Sequence, residues 1–272
     1  PETFGPEAVD VYRFDDLETS ATEFSYRLGA EYRPDSSTLY YASVASGFKS
    51  GGFNGGFLNI DPAIANRQIQ PFDPEFVTAY EVGMKADLLN SKMRLNASLF
   101  YNDFKDLQVF TLVNSGTTPI LVLDNASNAN SLGLELDFSA VLAQGLTANL
   151  NAAFISSELE NFIDETTGQD YSGNKLTQTP DTSVSGYVNY EYPLSRGGYI
   201  TAQAGFAYKD DLFFSTDNNP FVAQEAYTLV SSRVAYVSPA ETWSVALFVN
   251  NLTDERYLTN VSDIRDLTGS YV

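Results

Sequence analysis

The chain contains no cysteine and no histidine among its 272 residues. The first absence removes a disulfide framework, a thiolate nucleophile and a thiolate metal site. The second removes the commonest metal ligand and general base. Basic residues are scarce: 15 Lys and Arg stand against 35 Asp and Glu, giving a formal net charge of -20. Phosphate backbones are held by basic footprints, so this balance argues against a nucleic-acid partner. No apolar run approaches the roughly 18 residues of a transmembrane helix, and no signal peptide opens the chain. Residue 1 is proline rather than methionine, as expected of a processed product or an excerpt.

What is present is aromatic and alternating. Seventeen Tyr, 19 Phe and one Trp make up 14% of the chain, residue types that favour strands and membrane–water interfaces. Period-two patterning recurs throughout. Tyr40, Ala42, Val44 and Phe48 oppose Tyr41, Ser43, Ala45 and Gly47. Tyr80, Val82, Met84, Ala86 and Leu88 oppose Glu81, Gly83, Lys85 and Asp87. The same alternation runs through residues 94–101, 131–142, 146–154, 183–192, 200–208, 228–236 and 242–251, and less cleanly through 23–33. Helical spacing fits none of these windows as well, so they read as strands.

Connections alternate too. Short turns at 34–37, 90–92, 143–145, 193–198 and 238–241 interleave with longer polar segments at 50–75, 105–128, 158–179 and 211–224. That is an up-and-down meander with one trimmed end and one elaborated end, repeating about every 50 residues as a hairpin period. A soluble sandwich also buries alternating faces, so patterning alone leaves two architectures open. Strands of about ten residues, loops long at one end only, and a uniformly polar second face favour a transmembrane β-barrel with a wet interior. A mean hydropathy of -0.17 is no objection, since barrel strands give only every second residue to lipid.

Four ordered stretches carry a family resemblance. LYYASVASGFKSGGFNGG, at residues 39–56, resembles a strand and loop of TonB-dependent outer-membrane receptors. FDPEFVTAYEVGMKADLLNSKMRLNASLFYNDFKDLQV is similar to the next hairpin of those barrels, and NASNANSLGLELDFSAVLAQGLTANLNAAF to the one after. VALFVNNLTDERYLTN resembles their near-terminal element. The resemblance implies an antiparallel barrel of about 22 strands around a plug domain, of which this chain supplies about 11. It implies no cofactor and no covalent chemistry. It implies solute capture at extracellular loops, with outer-membrane lipid, the plug and the TonB–ExbB–ExbD energy complex as partners, in a Gram-negative outer membrane. The solute would be a ferric siderophore, a vitamin or an oligosaccharide. No plug or TonB-box segment precedes Pro1, and the chain stops at Tyr271 and Val272 without the terminal strand. Residues 1–272 therefore read as a partial barrel domain. A passive porin-like channel, a soluble adhesion module and, further off, a barrel enzyme remain alternatives.

Glu81, Lys85, Asp87, Glu135 and Asp137 share the polar face and read as a structural interior wall. As catalytic carboxylate pairs they are poor candidates, because no second group of tuned pKa accompanies them. For solute contact the candidates are Phe53 and Asn54, in a loop base loosened by Gly51, Gly52, Gly55 and Gly56, and Phe213, Phe214 and Asp217 in a later loop. The glycines there permit tight turns or loop motion, whereas aromatics permit stacking on an aryl chelate or a sugar. Asp210, Asp211 and Asp217 beside Phe213 and Phe214 read as a solvated loop with an interfacial aromatic belt before a calcium site. Glu158, Glu160, Asp164, Glu165 and Asp170 read as a solvated loop before a metal site. The intact mass of the native polypeptide tests the partial-barrel expectation. A mass of roughly 70–100 kDa fits a full receptor, whereas one near 29.9 kDa means that these strands close alone or with copies of themselves.

Overall fold

A computed structural model describes residues 17–54, 69–115, 118–163 and 168–261. Its strands are β1 (Arg27–Tyr32), β2 (Thr38–Lys49), β3 (Gly52–Phe53), β4 (Pro71–Phe72), β5 (Glu75–Leu88), β6 (Met93–Ser115) and β7 (Thr118–Ala143). They continue with β8 (Leu146–Glu160), β9 (Thr182–Pro193), β10 (Tyr199–Lys209), β11 (Leu212–Phe213), β12 (Ala223–Gln224), β13 (Tyr227–Val237) and β14 (Ser244–Val249). Ten of them form one sheet in the order β1-β2-β5-β6-β7-β8-β9-β10-β13-β14, every neighbour antiparallel. The meander is thus as the patterning requires, with ten strands in the sheet rather than about 11. The small pairs β3–β4 and β11–β12 sit in the long connections.

One expected loop is not a loop. The segment 105–128 continues β6 and β7, which pair from Phe104/Ala129 out to Ser115/Thr118 after a register shift near Leu107. Asp106 adopts φ 54° at that irregularity. A bulge adds an unpaired residue and lets a ladder continue past it, so polar residues that read as a break instead re-aim a long hairpin.

Register sets the two faces. Tyr40, Met84, Ala97 and Leu136 follow one another across β2, β5, β6 and β7, and so do Val44, Tyr80, Tyr101 and Leu132. This face is apolar and open: Val82, Leu99, Leu132, Val188, Val234 and Leu247 are all exposed. Tyrosines gather toward its two ends, with Tyr80 and Tyr101 6.4 Å apart near one and Tyr190 beside Tyr192 near the other. An exposed apolar band with aromatic margins suits lipid on that side. The opposite face carries Tyr41, Glu81, Lys85, Arg94, Asn96, Ser98, Glu135, Asp137, Asn151, Ser185 and Asn189.

Two aromatic rings lie on that polar face where glycine stands opposite. A Cβ on Gly83 would overlap the Tyr41 ring, and one on Gly133 would overlap the Phe100 ring. Each pair is directly cross-strand, Tyr41 with Gly83 and Phe100 with Gly133. The glycines allow the rings to lie flat on the sheet, covering backbone a side chain would otherwise hide.

The buried apolar core is elsewhere. Leu159 and Phe162 are 1% exposed and Ala129 0%; with Val109 they form a cluster bordered by Phe104, Leu107, Tyr171 and Leu176. It lies at the end of the long connections, so the elaborated end is itself a packed layer. Two variants test the assignment of faces. Leu99→Arg should destabilise the folded protein in a bilayer by about 2–4 kcal/mol, whereas Ser98→Arg should be near neutral. Urea titration in lipid vesicles reads both, and equal losses would overturn the assignment.

Candidate functional site

Two surfaces offer chemistry: the concave polar face and the packed layer at the long-connection end. On the first, a trough of about 500 Å³ crosses from β2 to β10. A single register row spans it: Tyr41, Gly83, Ser98, Glu135, Ala153, Ser183 and Lys209. Small side chains, Ala153, Ser183, Ser185 and Ala207, line its middle. Asn96, Glu135, Asp137 and Asn151 add polar groups along it.

The wall residues are held by specific partners. Tyr41 donates its hydroxyl to Glu81 Oε1 at 2.5 Å, while Lys85 Nζ sits 5.8 Å from the centre of the Tyr41 ring. Arg94 holds Asp87 with two bonds, Nε to Oδ1 at 2.7 Å and Nη2 to Oδ2 at 3.1 Å. Such bidentate pairing fixes orientation, though an exposed pair adds little stability. Asn96 Nδ2 donates to Asp137 Oδ1 at 3.1 Å. The structure therefore places Glu81, Lys85, Asp87, Glu135 and Asp137 on one face, three of the four carboxylates already engaged.

The outer layer positions the other candidates. Phe53 lies in β3, paired with Pro71 of β4. Gly51 permits that return: a Cβ there would collide with the Phe72 carbonyl. The glycine signal at this loop base thus reflects close backbone approach, and Gly55 and Gly56 lie outside the described residues. Asn54 spends both groups of its amide on Leu123, Nδ2 donating to the carbonyl at 2.9 Å and Oδ1 accepting the N–H at 2.8 Å. Phe213 pairs with Ala223 in the β11–β12 ribbon, and the Phe214 N–H donates to the Val222 carbonyl. Asp217 Oδ1 accepts from Ser215 Oγ at 2.5 Å and from the Asn219 N–H at 3.3 Å, closing its own turn. Phe53 and Phe213 are each half-buried in different small ribbons.

Residues the patterning did not single out do much of the joining. Gln108 is 8% exposed; its Nε2 donates to the carbonyls of Ser50 and Asp73, both at 3.1 Å. Its N–H reaches Glu75 Oε2 at 3.0 Å, while its Oε1 has no partner among the described residues. Asn218, at φ 50°, bridges to the main chain of Lys175. Such long-range amide contacts leave no periodic trace. The expected acidic loop is partly strand. Glu158 and Glu160 belong to the end of β8, paired with β7, and both accept from Asn130, whereas Asp170 accepts from the Ser172 N–H in a turn. Asp164 and Glu165 lie outside the described residues. Among the described residues no three acidic groups converge as a metal site.

Two groups in the connection between β8 and β9 titrate away from their ordinary values. The hydroxyl and N–H of Ser172 hold the Asp170 carboxyl below the usual range, so its contribution is present at neutral pH and lost as pH falls through that lowered value. The hydrogen bond to Asp181, at 2.7 Å, raises Lys175. That contribution is present at and below the ordinary lysine range and lost as pH rises through the raised value.

With this geometry in hand, comparison places the chain. The family profile described as TonB dependent receptor-like, beta-barrel matches residues 7–252. The chain belongs to that family. It is 27% identical over 237 residues to the pesticin receptor of Yersinia pestis, covering 86% of this chain and 32% of that protein. It is 28% identical over 250 residues to the metal-pseudopaline receptor CntO of Pseudomonas aeruginosa, covering 90% of this chain and 32% of that protein. The crystal structure of the ferric yersiniabactin uptake receptor FyuA from Yersinia pestis superposes with a TM-score of 0.69 at 26% identity, covering 87% of this chain and 33% of that one. The chain thus spans about a third of the length of the curated relatives it matches.

Phe162→Ala tests the packed layer. Removing this ring should cost about 3–5 kcal/mol locally, read as faster hydrogen exchange at the Leu159, Tyr171 and Gly173 amides while the sheet stays protected. Thermal melts of Lys175→Met against wild type test the ion pair. The difference between them should hold at neutral pH and shrink as pH rises beyond the lysine range.

Proposed function

We propose that this chain forms part of the barrel of a TonB-dependent receptor in a Gram-negative outer membrane, importing a scarce solute of the ferric-siderophore or related metal-chelate class. The observation that carries the reading is the family match over residues 7–252 on a sheet with one apolar and one polar face. The relatives named for metal-pseudopaline and for ferric yersiniabactin uptake support the chelate class over vitamins and oligosaccharides. Residues 1–272 act as a partial barrel domain. Further strands and a plug domain belong to the same protein, and the TonB–ExbB–ExbD complex supplies the energy.

The mechanism is binding and gated passage, with no covalent step. The outer layer, built on Leu159 and Phe162, presents the surface that meets solute. Phe53, Phe213 and Phe214 are its aromatic contacts, with Asn54 and Asp217 beside them. Glu81, Lys85, Asp87, Glu135 and Asp137 form the wall facing the plug. The trough, lined by small and polar side chains, offers that partner hydrogen-bonding groups in place of bulk.

Energy dependence separates this reading from a passive channel. Cells carrying the full-length protein should accumulate radiolabelled ferric yersiniabactin or ferric siderophores of related chemistry, and a protonophore should abolish that uptake. Uptake that persists without the proton gradient identifies a porin-like pore. Absence of any chelate binding would overturn the substrate class.

A further inference from the structure

In an antiparallel ladder a residue offers its own N–H and C=O to one partner. A primary amide carries the same pair, a donor N–H and an acceptor C=O, so an asparagine side chain can stand in for a strand residue. Four asparagines do so here. Asn54 pairs with both main-chain groups of Leu123, at 2.9 and 2.8 Å. Asn125 pairs likewise with Asp73, at 2.8 and 2.6 Å, and Asn218 with Lys175, at 3.0 and 2.7 Å. Asn251 closes a local turn on Glu255, at 2.9 Å in both directions. The first three reach across 69, 52 and 43 residues. All three lie at the elaborated end, where no regular ladder runs between the connections.

We propose that Asn54, Asn125 and Asn218 are positioning residues of the outer layer. They are two-point amide clamps that hold its connections in the one arrangement a ligand meets. The proposal rests on the receptor function above and deepens it. Asn54 and Asn125 tie the arms of the β2–β5 connection to β7, and Gln108 adds its donor bonds to Ser50 and Asp73. Asn218 ties the β10–β13 connection to the one before β9. Asparagine is specified at these positions, because serine lacks the second group and glutamine carries the pair one methylene further out. Asn54 thereby acts through the backbone of Leu123 as well as through its place beside Phe53.

The test uses the full-length protein in lipid nanodiscs, without ligand, with hydrogen exchange resolved at single amides. In Asn54→Asp the ionised side chain has no donor and faces the Leu123 carbonyl. The carboxylate still accepts the Leu123 N–H, but the donor bond to the Leu123 carbonyl is lost and two acceptors face each other. At pH 7 the Leu123 amide should therefore exchange about fivefold faster than wild type, the scale of one neutral hydrogen bond. Protonation restores a donor O–H beside an acceptor C=O, the same two-point pattern. The ratio to wild type at equal pH should therefore return toward one as pH falls below the carboxylate range. Among the described residues no hydrogen bond or ion pair joins Asn54 to a titratable side chain, so the recovery reads the new carboxyl. Unchanged Leu123 exchange at pH 7, or a rise that acid does not reverse, overturns the clamp. Should that variant fail to fold, Asn125→Leu, which removes both the donor and the acceptor, is read at the Asp73 amide at pH 7, and a protected Asp73 amide overturns the clamp. No ligand is added, so a protein that binds no chelate counts against the receptor function and leaves the exchange result standing.

Discussion

A backbone that crosses an apolar layer must find every hydrogen-bond partner within the protein, because lipid offers none. In this chain nine antiparallel pairs between neighbours in the meander meet that constraint for the eight inner strands, and among the described residues the outer edges of β1 and β14 are open. Once pairing is fixed, the period of two sends alternate side chains to opposite faces, and a one-residue slip would put glutamate into lipid and leucine into the interior. Glu81, Glu135 and Asp137 sit where they do for that reason, as do Val82 and Leu134.

The two ends of the sheet answer to different physics. At the trimmed end, short turns suffice to reverse the chain. At the elaborated end the ladder stops for most strands, and the exposed connections need another source of order. Part of it is a small apolar cluster around Leu159 and Phe162. The rest is a set of side-chain amides that supply the backbone pairing the missing strands would have given. The β6–β7 hairpin, which continues past its bulge, serves as the post to which Asn54 and Asp73 are fastened.

On the proposed receptor function, this division shapes how such a surface would capture solute. The polar face is a repetitive lattice in which Tyr41 lies over Gly83 and bonds Glu81. The outer layer is held by few, discrete contacts, and its chemistry can vary from one protein to another on the same barrel. A receptor family with one fold and many cargoes is the natural result of separating the two.

The sequence by itself was enough to mark most sheet strands, their meander order and the side each of their residues takes. These follow from local alternation and from turn residues such as those at 34–37 and 143–145, information carried within a dozen residues. It also carried the family, through four ordered stretches. It misplaced the segment 105–128, because a bulge at Asp106 looks like a break when only neighbours are read. Tertiary structure alone decided that Gly51 serves close approach, that Tyr41 lies over Gly83, and that Asn54, Gln108, Asn125 and Asn218 join distant segments. The physical reason is range: periodicity records what a residue shares with its neighbours along the strand. An amide that bonds to a carbonyl 69 residues away leaves no mark on the pattern around it.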